Sequence, residues 1–155
     1  MKALFLDIDG IMNSEDYAVY RIKSKKFDSD QFIDERAVVF LNYIIEETGA
    51  EVVLSSSWRG NVSETQKRLE ECGFNYKITS VTPYCASRIR GEEIKAWIDD
   101  YEKDHEPLES YAILDDDRDM LEEQMRHFVY CDNRHGLTTC ECYKAIGILN
   151  TAHND

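Results

Sequence analysis

The sequence predicts an α/β fold built on a doubly wound, mostly parallel sheet, and two observations carry that prediction. Short apolar runs alternate along the chain with segments of helical periodicity, which is the pattern of βα units rather than of hairpins. The runs Ala3-Leu4-Phe5-Leu6 and Tyr111-Ala112-Ile113-Leu114 stop on aspartates, and Val52-Val53-Leu54 stops on three serines. Ligands of open parallel sheets sit beyond the carboxyl ends of the strands, so these endings place reactive groups on one edge.

Leu4 to Asp7 is the first strand, too short and too apolar to be anything but buried. The polar stretch from Asn13 to Asp30, with Tyr17, Tyr20, Arg21 and three lysines, reads as a flap or minimal cap covering about residues 11–33. From Asp34 onward, Ala37, Val38, Phe40, Leu41, Ile44 and Ile45 recur at helical spacing, and Gly49 supplies the stop. Glu51 to Ser55 is the second strand. Ser63 with Gln66 forms a capping box for a helix ending near Cys72-Gly73, and Tyr76 to Val81 follows as the third strand. The next helix starts near Arg90, with Glu92 and Glu93 in its first turn and Ile94, Trp97, Ile98 and Tyr101 on one face. Tyr111 to Leu114 is the fourth strand, and a short helix over Met120 to Met125 leads to a strand Phe128-Val129-Tyr130. A helix from Thr139 to Leu149 completes the pattern.

With 155 residues, 43% of them apolar, and only two prolines, the chain fits one domain, residues 1–155, with a single buried core. Met1-Lys2 leads into a strand rather than a signal peptide, and no apolar stretch is long enough to cross a bilayer, so a cytoplasmic protein with no membrane partner is expected. Five cysteines without zinc spacing fit a reducing compartment, the close pair Cys140-x-Cys142 included. A net charge of −13 weighs against extended nucleic-acid binding, in which neutralised phosphates supply the affinity.

The chemistry begins at Asp7-Ile8-Asp9-Gly10. If the chain stays extended through Ile8, Asp7 and Asp9 project from the same side, and two such carboxylates can share a divalent cation. A calcium loop is excluded by its twelfth position, which falls on Ala18 instead of a glutamate. Leu114-Asp115-Asp116-Asp117-Arg118-Asp119 delivers further carboxylates to a strand end, and burying that charge without a counterion is very costly. A Mg2+ site shared with Asp7 and Asp9 is the economical account. In Ser55-Ser56-Ser57 the hydroxyls suit phosphate oxygens, and matching Lys2 with Glu51 as strand starts brings Ser56 level with Asp7. Arg59 is either a phosphate ligand or a salt-bridge residue. A cation is needed to hold phosphate against the acids, and Arg88 and Arg90 both lie at the entrance to the helix carrying Trp97. Arg90, nearest the helix start where the dipole disfavours it, is preferred to Arg88 and to Lys95.

Asp7-Ile8-Asp9-Gly10, the serine run, Arg90 and Asp115-Asp116 stand in the order of the four motifs of the haloacid dehalogenase (HAD) superfamily, which the whole chain resembles. More narrowly, Leu54-Ser55-Ser56-Ser57-Trp58-Arg59, Arg90-Gly91-Glu92-Glu93-Ile94 and Gly136-Leu137-Thr138 look like the small HAD domains within multidomain RNA-repair proteins. The resemblance implies a HAD-type Rossmann-like core. It also implies that Asp7 is a nucleophile forming an aspartyl-phosphate and that Asp9 is the acid/base. Mg2+ is then held by Asp7, the carbonyl of Asp9 and a carboxylate of Asp115 or Asp116, and phosphate by Ser56 and Arg90. The implied substrate is a phosphorylated small molecule or a nucleic-acid end. Arginine in place of the common lysine at the third motif is a departure.

Two other classes compete. In a receiver domain the acidic pair lies on the first strand and the phospho-accepting aspartate on a middle one, with a lysine at the end of the last strand; here Val129-Tyr130 leads into Cys131-Asp132. A non-catalytic phosphate- and metal-binding module acting through a partner is the alternative function, although a scaffold has no need of both Asp7 and Asp9. The four histidines, His105, His127, His135 and His153, form no triad and read as surface or structural groups. Trp58 and Trp97 read as packing residues.

Overall fold

The structure is a computed structural model that describes residues 1–24 and 32–151. Five strands, β1 (Lys2–Leu6), β2 (Glu51–Leu54), β3 (Ile78–Val81), β4 (Ser110–Asp115) and β5 (Phe128–Tyr130), form one sheet. Their order is β3-β2-β1-β4-β5, and every pairing is parallel. The chain therefore steps outward from β1 to β3, then crosses back over β1 to build β4 and β5. The crossover leaves the switch point between β1 and β4, where the carboxyl ends of such a sheet hold their ligands.

Strand alternation assigns the two faces. Leu4, Leu6, Val52, Leu54, Ala112 and Leu114 belong to the larger core, with α2 (Glu35–Thr48), α3 (Val62–Glu71) and α5 (Thr139–Asn150). Ala3, Phe5, Val53 and Ile113 pack on the other face against α4 (Arg90–Asp104) through Ile94 and Trp97, with Phe5 edge-on to the Trp97 ring. Each fully buried side chain of this size contributes about 1.5–3 kcal/mol. The same alternation carries Asp7, Ser55 and Asp115 onto the α4 face, and the register Leu6↔Leu54 and Leu6↔Leu114 puts all three at one level.

Helix ends follow local chemistry. Asp34 caps α2 by accepting from the amide of Arg36, and Gly49 ends it in a left-handed conformation, as the sequence indicates. The cap of α3 is Asn61, whose side chain accepts from the amide of Glu64, rather than the predicted Ser63–Gln66 box. Gln66 instead donates to the carbonyl of Tyr76 and accepts from the amide of Ile78, tying down the start of β3, which is shorter than expected. The short helix predicted over Met120 to Met125 is a 3-10 segment at Glu122–His127. Within the flap region an unpredicted helix, α1 (Glu15–Lys23), is capped by Ser14 and carries Glu15 and Asp16 in its first turn. Residues 25–31 of the expected flap, and His153, lie outside the described residues. Among those described, no helix is long and apolar enough to cross a membrane.

Candidate active site

The ladder continues one residue past β1 and β2. The amide of Asp7 donates to Leu114 O at 3.0 Å and that of Ser55 to Leu6 O at 2.9 Å, which fixes Asp7 between β2 and β4. Asp115, at the end of β4, is fully buried, and its Oδ1 accepts from the amide of Asp117. Asp116 turns toward the loop after β1, where Gly10 has φ +83° and a Cβ would lie 2.7 Å from Asp116 Cγ. A side chain at Gly10 would thus strain the backbone and displace the Asp116 carboxylate. Carboxylate oxygens of Asp7, Asp115 and Asp116 all lie within 4.8 Å of one another.

Burial holds protons on Asp7 and Asp115 well above the usual carboxylate range, and for Asp115 the charge of Asp7 adds to the effect. Asp116 is pushed in the same direction, first by burial. Arg90 opposes this, with Nε 3.2 Å from Asp115 Oδ2 and Nη2 3.9 Å from Asp7 Oδ1. That contact is not an aligned hydrogen bond, and Asp115 Oδ2 is left buried without a donor. Three hard oxygen donors, a single guanidinium beside them and a buried carboxylate oxygen without a donor fit a small divalent cation such as Mg2+.

Arg90 reaches the cluster because the loop after β4 grips the first turn of α4. Asp119 Oδ2 accepts from the amide of Arg90 at 2.8 Å, Asp119 O accepts from that of Gly91, and Gln124 donates to Gly91 O. Any Cβ on Gly91 would come within 2.6 Å of Leu121 N, so the helix can sit this close only with glycine there. Lys95, the rival cation, pairs with Asp99 on the exposed side of α4.

Register counting from Lys2 and Glu51 is off by one. Ala3 pairs with Glu51, so Ser55 rather than Ser56 stands level with Asp7, and its hydroxyl is buried without a partner. Ser56 nevertheless touches the aspartate. The chain turns after Ser55 into a 3-10 segment, Ser57–Asn61, and the Ser56 hydroxyl donates to Asp7 while accepting from Trp58 N at 3.2 Å. Ser57 is exposed.

Asp9 departs further from the sequence reading. The chain does not stay extended through Ile8, because Ile8 O accepts from the amides of both Ile11 and Met12, and the loop coils back. The Asp9 carboxylate is therefore exposed, outside the three-carboxylate cluster, although near enough for its charge to act on Asp116. Trp58 Nε1 and Asn13 Nδ2 each donate to it at 3.0 Å. Trp58 was expected only to pack, and Asn13 carried no signal beyond lying four residues from Asp9.

Arg59 is a salt-bridge residue, 7% exposed, with Nη2 2.9 Å from Glu93 Oε2 and Nη1 donating to Ser55 O and Thr82 Oγ1. Glu93 was missed, yet its position three residues after Arg90 on one helix face was the available signal. It links the two arginines, its Oε2 also lying 3.9 Å from Arg90 Nη1. The flap helix α1 is anchored on the far side of the loop after β1, where the amides of Glu15 and Asp16 donate to Asn133 O and Arg134 O. His135 Nδ1 lies 2.8 Å from Asp16 Oδ2 at the same junction.

Neither the curated proteins nor the solved structures include a match to this chain. A family model described as the HAD domain in Swiss Army Knife RNA repair proteins matches residues 3–142, from β1 through β5 into the first turn of α5. A five-stranded parallel Rossmann-like sheet with acids on its central strand ends, matched over that length, places the chain in this family of HAD domains, within a superfamily of hydrolases and phosphatases.

Proposed function

We propose that the protein is a Mg2+-dependent phosphomonoester hydrolase with Asp7 as nucleophile, acting on a nucleotide or a nucleic-acid end. The observation that carries this reading is the meeting of Asp7, Asp115 and Asp116 within 4.8 Å, at the edge of the sheet that Arg90 also reaches. Asp7, Asp115 and Asp116, with the carbonyl of Asp9, would hold Mg2+, which when bound would supply positive charge against the carboxylates and the transferring phosphate. An Asp7 oxygen attacks phosphorus as the bond to the leaving oxygen breaks, and Asp9 gives that oxygen its proton. Water, losing a proton to Asp9, then attacks the phosphorus of the aspartyl-phosphate, releasing inorganic phosphate and restoring Asp7. Ser56 and Arg90 bind the equatorial oxygens, where fixed donors lower the barrier most. Trp58 and Asn13 orient the Asp9 carboxylate between its two proton transfers.

The test is phosphate release, with Mg2+ or with EDTA, from nucleoside monophosphates, 3′- and 5′-phosphorylated oligonucleotides, phosphopeptides and an aryl phosphate. Release abolished by EDTA and by Asp7→Asn is expected. Asp9→Asn is expected to keep Mg2+ binding, read by calorimetry, and to lose turnover. Release that survives Asp7→Asn, or none from the parent on any substrate, overturns the assignment.

A further inference from the structure

Beside the carboxylate cluster, on the α4 face of the sheet edge, lies a cleft of about 500 Å³. Arg90 and Ser57 line it, so it opens from the site where the phosphate is bound. Tyr84 and Arg88, from the loop after β3, line it as well. None of the groups named as catalytic uses these two residues.

Tyr84 is 67% exposed, a large aromatic surface left to water. One face of its ring rests on the Arg59 guanidinium at 3.8 Å. Arg59 is itself held by Glu93, Ser55 O and Thr82, so the ring lies on an immobilised plane. An aromatic platform fixed on one face stacks planar rings on the other at little entropic cost.

Arg88 is held with φ +57°, a conformation that side chains other than Gly, Asn and Asp rarely adopt. Among the described residues its guanidinium makes no ion pair and no hydrogen bond. Exposed at the cleft mouth, it is a cation with its donors open to a ligand. The other cleft charges have partners: Glu93 with Arg59, Arg90 with Asp115, and Asp119 on the amide of Arg90. Asp117, exposed and accepting from Arg118 N, keeps the cleft near neutrality, so selectivity here comes from placement rather than from net charge. A guanidinium so placed suits the fork of a phosphate.

We propose that this cleft is the leaving-group subsite, in which Tyr84 stacks a planar heterocycle and Arg88 binds a second phosphate. The substrate class is then a nucleoside phosphomonoester that carries a further phosphate, either a nucleoside bisphosphate or the phosphorylated end of a short oligonucleotide. This rests on the phosphatase reading above.

The test compares a nucleoside 3′,5′-bisphosphate, the matching nucleoside monophosphate and glycerol phosphate as substrates. Arg88→Asn, which tolerates the positive φ, is expected to raise KM for the bisphosphate about tenfold more than for the monophosphate. Arg88→Lys recovers part of the loss. Tyr84→Ala is expected to raise KM for both nucleotides roughly five- to tenfold more than for glycerol phosphate, mainly in KM rather than kcat. A dinucleotide with the same phosphorylated end separates the two sources: a lower KM than the bisphosphate assigns the subsite to chain ends, an equal one to mononucleotides. Equal changes across all three substrates overturn the proposal. If the parent releases phosphate neither from these nor from the wider panel above, the phosphatase reading fails, and calorimetric binding of the bisphosphate decides the subsite alone. Binding weakened by Arg88→Asn supports it, and absent or Arg88-independent binding overturns it.

Discussion

Gly10→Ala tests whether Asp116 belongs to the metal site, because it perturbs that carboxylate without touching it chemically. The new Cβ sits 2.7 Å from Asp116 Cγ and 3.1 Å from Asn133 Cβ, at φ +83°. Left-handed backbone costs a residue with a Cβ about 1–2 kcal/mol. The clash is with the end of a side chain, so Asp116 swings away rather than the backbone breaking, and the cluster loses one of its three carboxylates. Mg2+ affinity is expected to fall roughly ten- to hundredfold. At a free Mg2+ of 100 times the parent Kd, binding stabilises the parent by about 2.7 kcal/mol; in the variant this shrinks to about 1.4 kcal/mol for a tenfold loss and about 0.4 kcal/mol for a hundredfold loss. Urea denaturation with and without Mg2+, beside calorimetric titration, reads both quantities. Gly49→Ala is the control, since Gly49 has φ +68° and nothing within 4 Å of a Cβ: it carries the backbone cost alone. If Gly10→Ala lowers stability like Gly49→Ala and leaves Mg2+ affinity unchanged, the carboxylate of Asp116 is no part of the site.

Glu93→Ala leaves the Arg59 guanidinium buried without its carboxylate, and a loss of roughly 3–5 kcal/mol in urea denaturation is expected; a loss below about 1 kcal/mol would mean that Thr82, Ser55 O and the Tyr84 ring hold the charge without it. Asp7 and Asp115 bind protons more tightly folded than unfolded, so the metal-free protein loses stability as pH rises from 3.8 through about 6 for Asp7 and about 8 for Asp115. Saturating Mg2+ flattens that slope, because the ion binds the deprotonated carboxylates; metal-free stability that rises with pH across this window refutes the account of burial.

Sequence carried the sheet well, because β1, β2 and β4 each end where an apolar run meets a polar residue, whereas β3, Ile78-Thr79-Ser80-Val81, has no such run and its start is set by Gln66. Asp7 and Asp115 could be placed from that rule alone, strand alternation sending both to one face. Ser56 was chosen for the wrong reason: strand starts are frayed, and matching Lys2 to Glu51 misses the one-residue offset that only the hydrogen-bond ladder fixes. Asp9 was misplaced because extension through Ile8 was assumed, whereas Gly10 at positive φ lets the loop coil back onto Ile8 O. The role of Trp58 comes from a contact 49 residues away, with Asp9, which no local pattern shows. Glu93 is signalled locally only by its i,i+3 spacing from Arg90, and its main partner, Arg59, lies across the fold. The departure at the third motif finds a physical setting as well, since the Arg90 fork reaches toward Asp115, Asp7 and Glu93 from one position.

The junction between α1 and the segment after β5 is made mainly of main-chain groups: Glu15 N and Asp16 N on Asn133 O and Arg134 O, and Leu137 N on Ile11 O. A peptide carbonyl offers the same lone pairs whatever side chain it carries. Residues 133 and 134 are thus open to drift without unseating the helix, as are most positions of α1 itself. Gly136 is the exception, as a Cβ there would lie 2.7 Å from Ile11 O. One glycine that a side chain cannot replace, beside neighbours that contribute main-chain groups, gives this junction the economy of a standard fitting, onto which differently decorated helices can be mounted while the aspartates beneath keep their spacing.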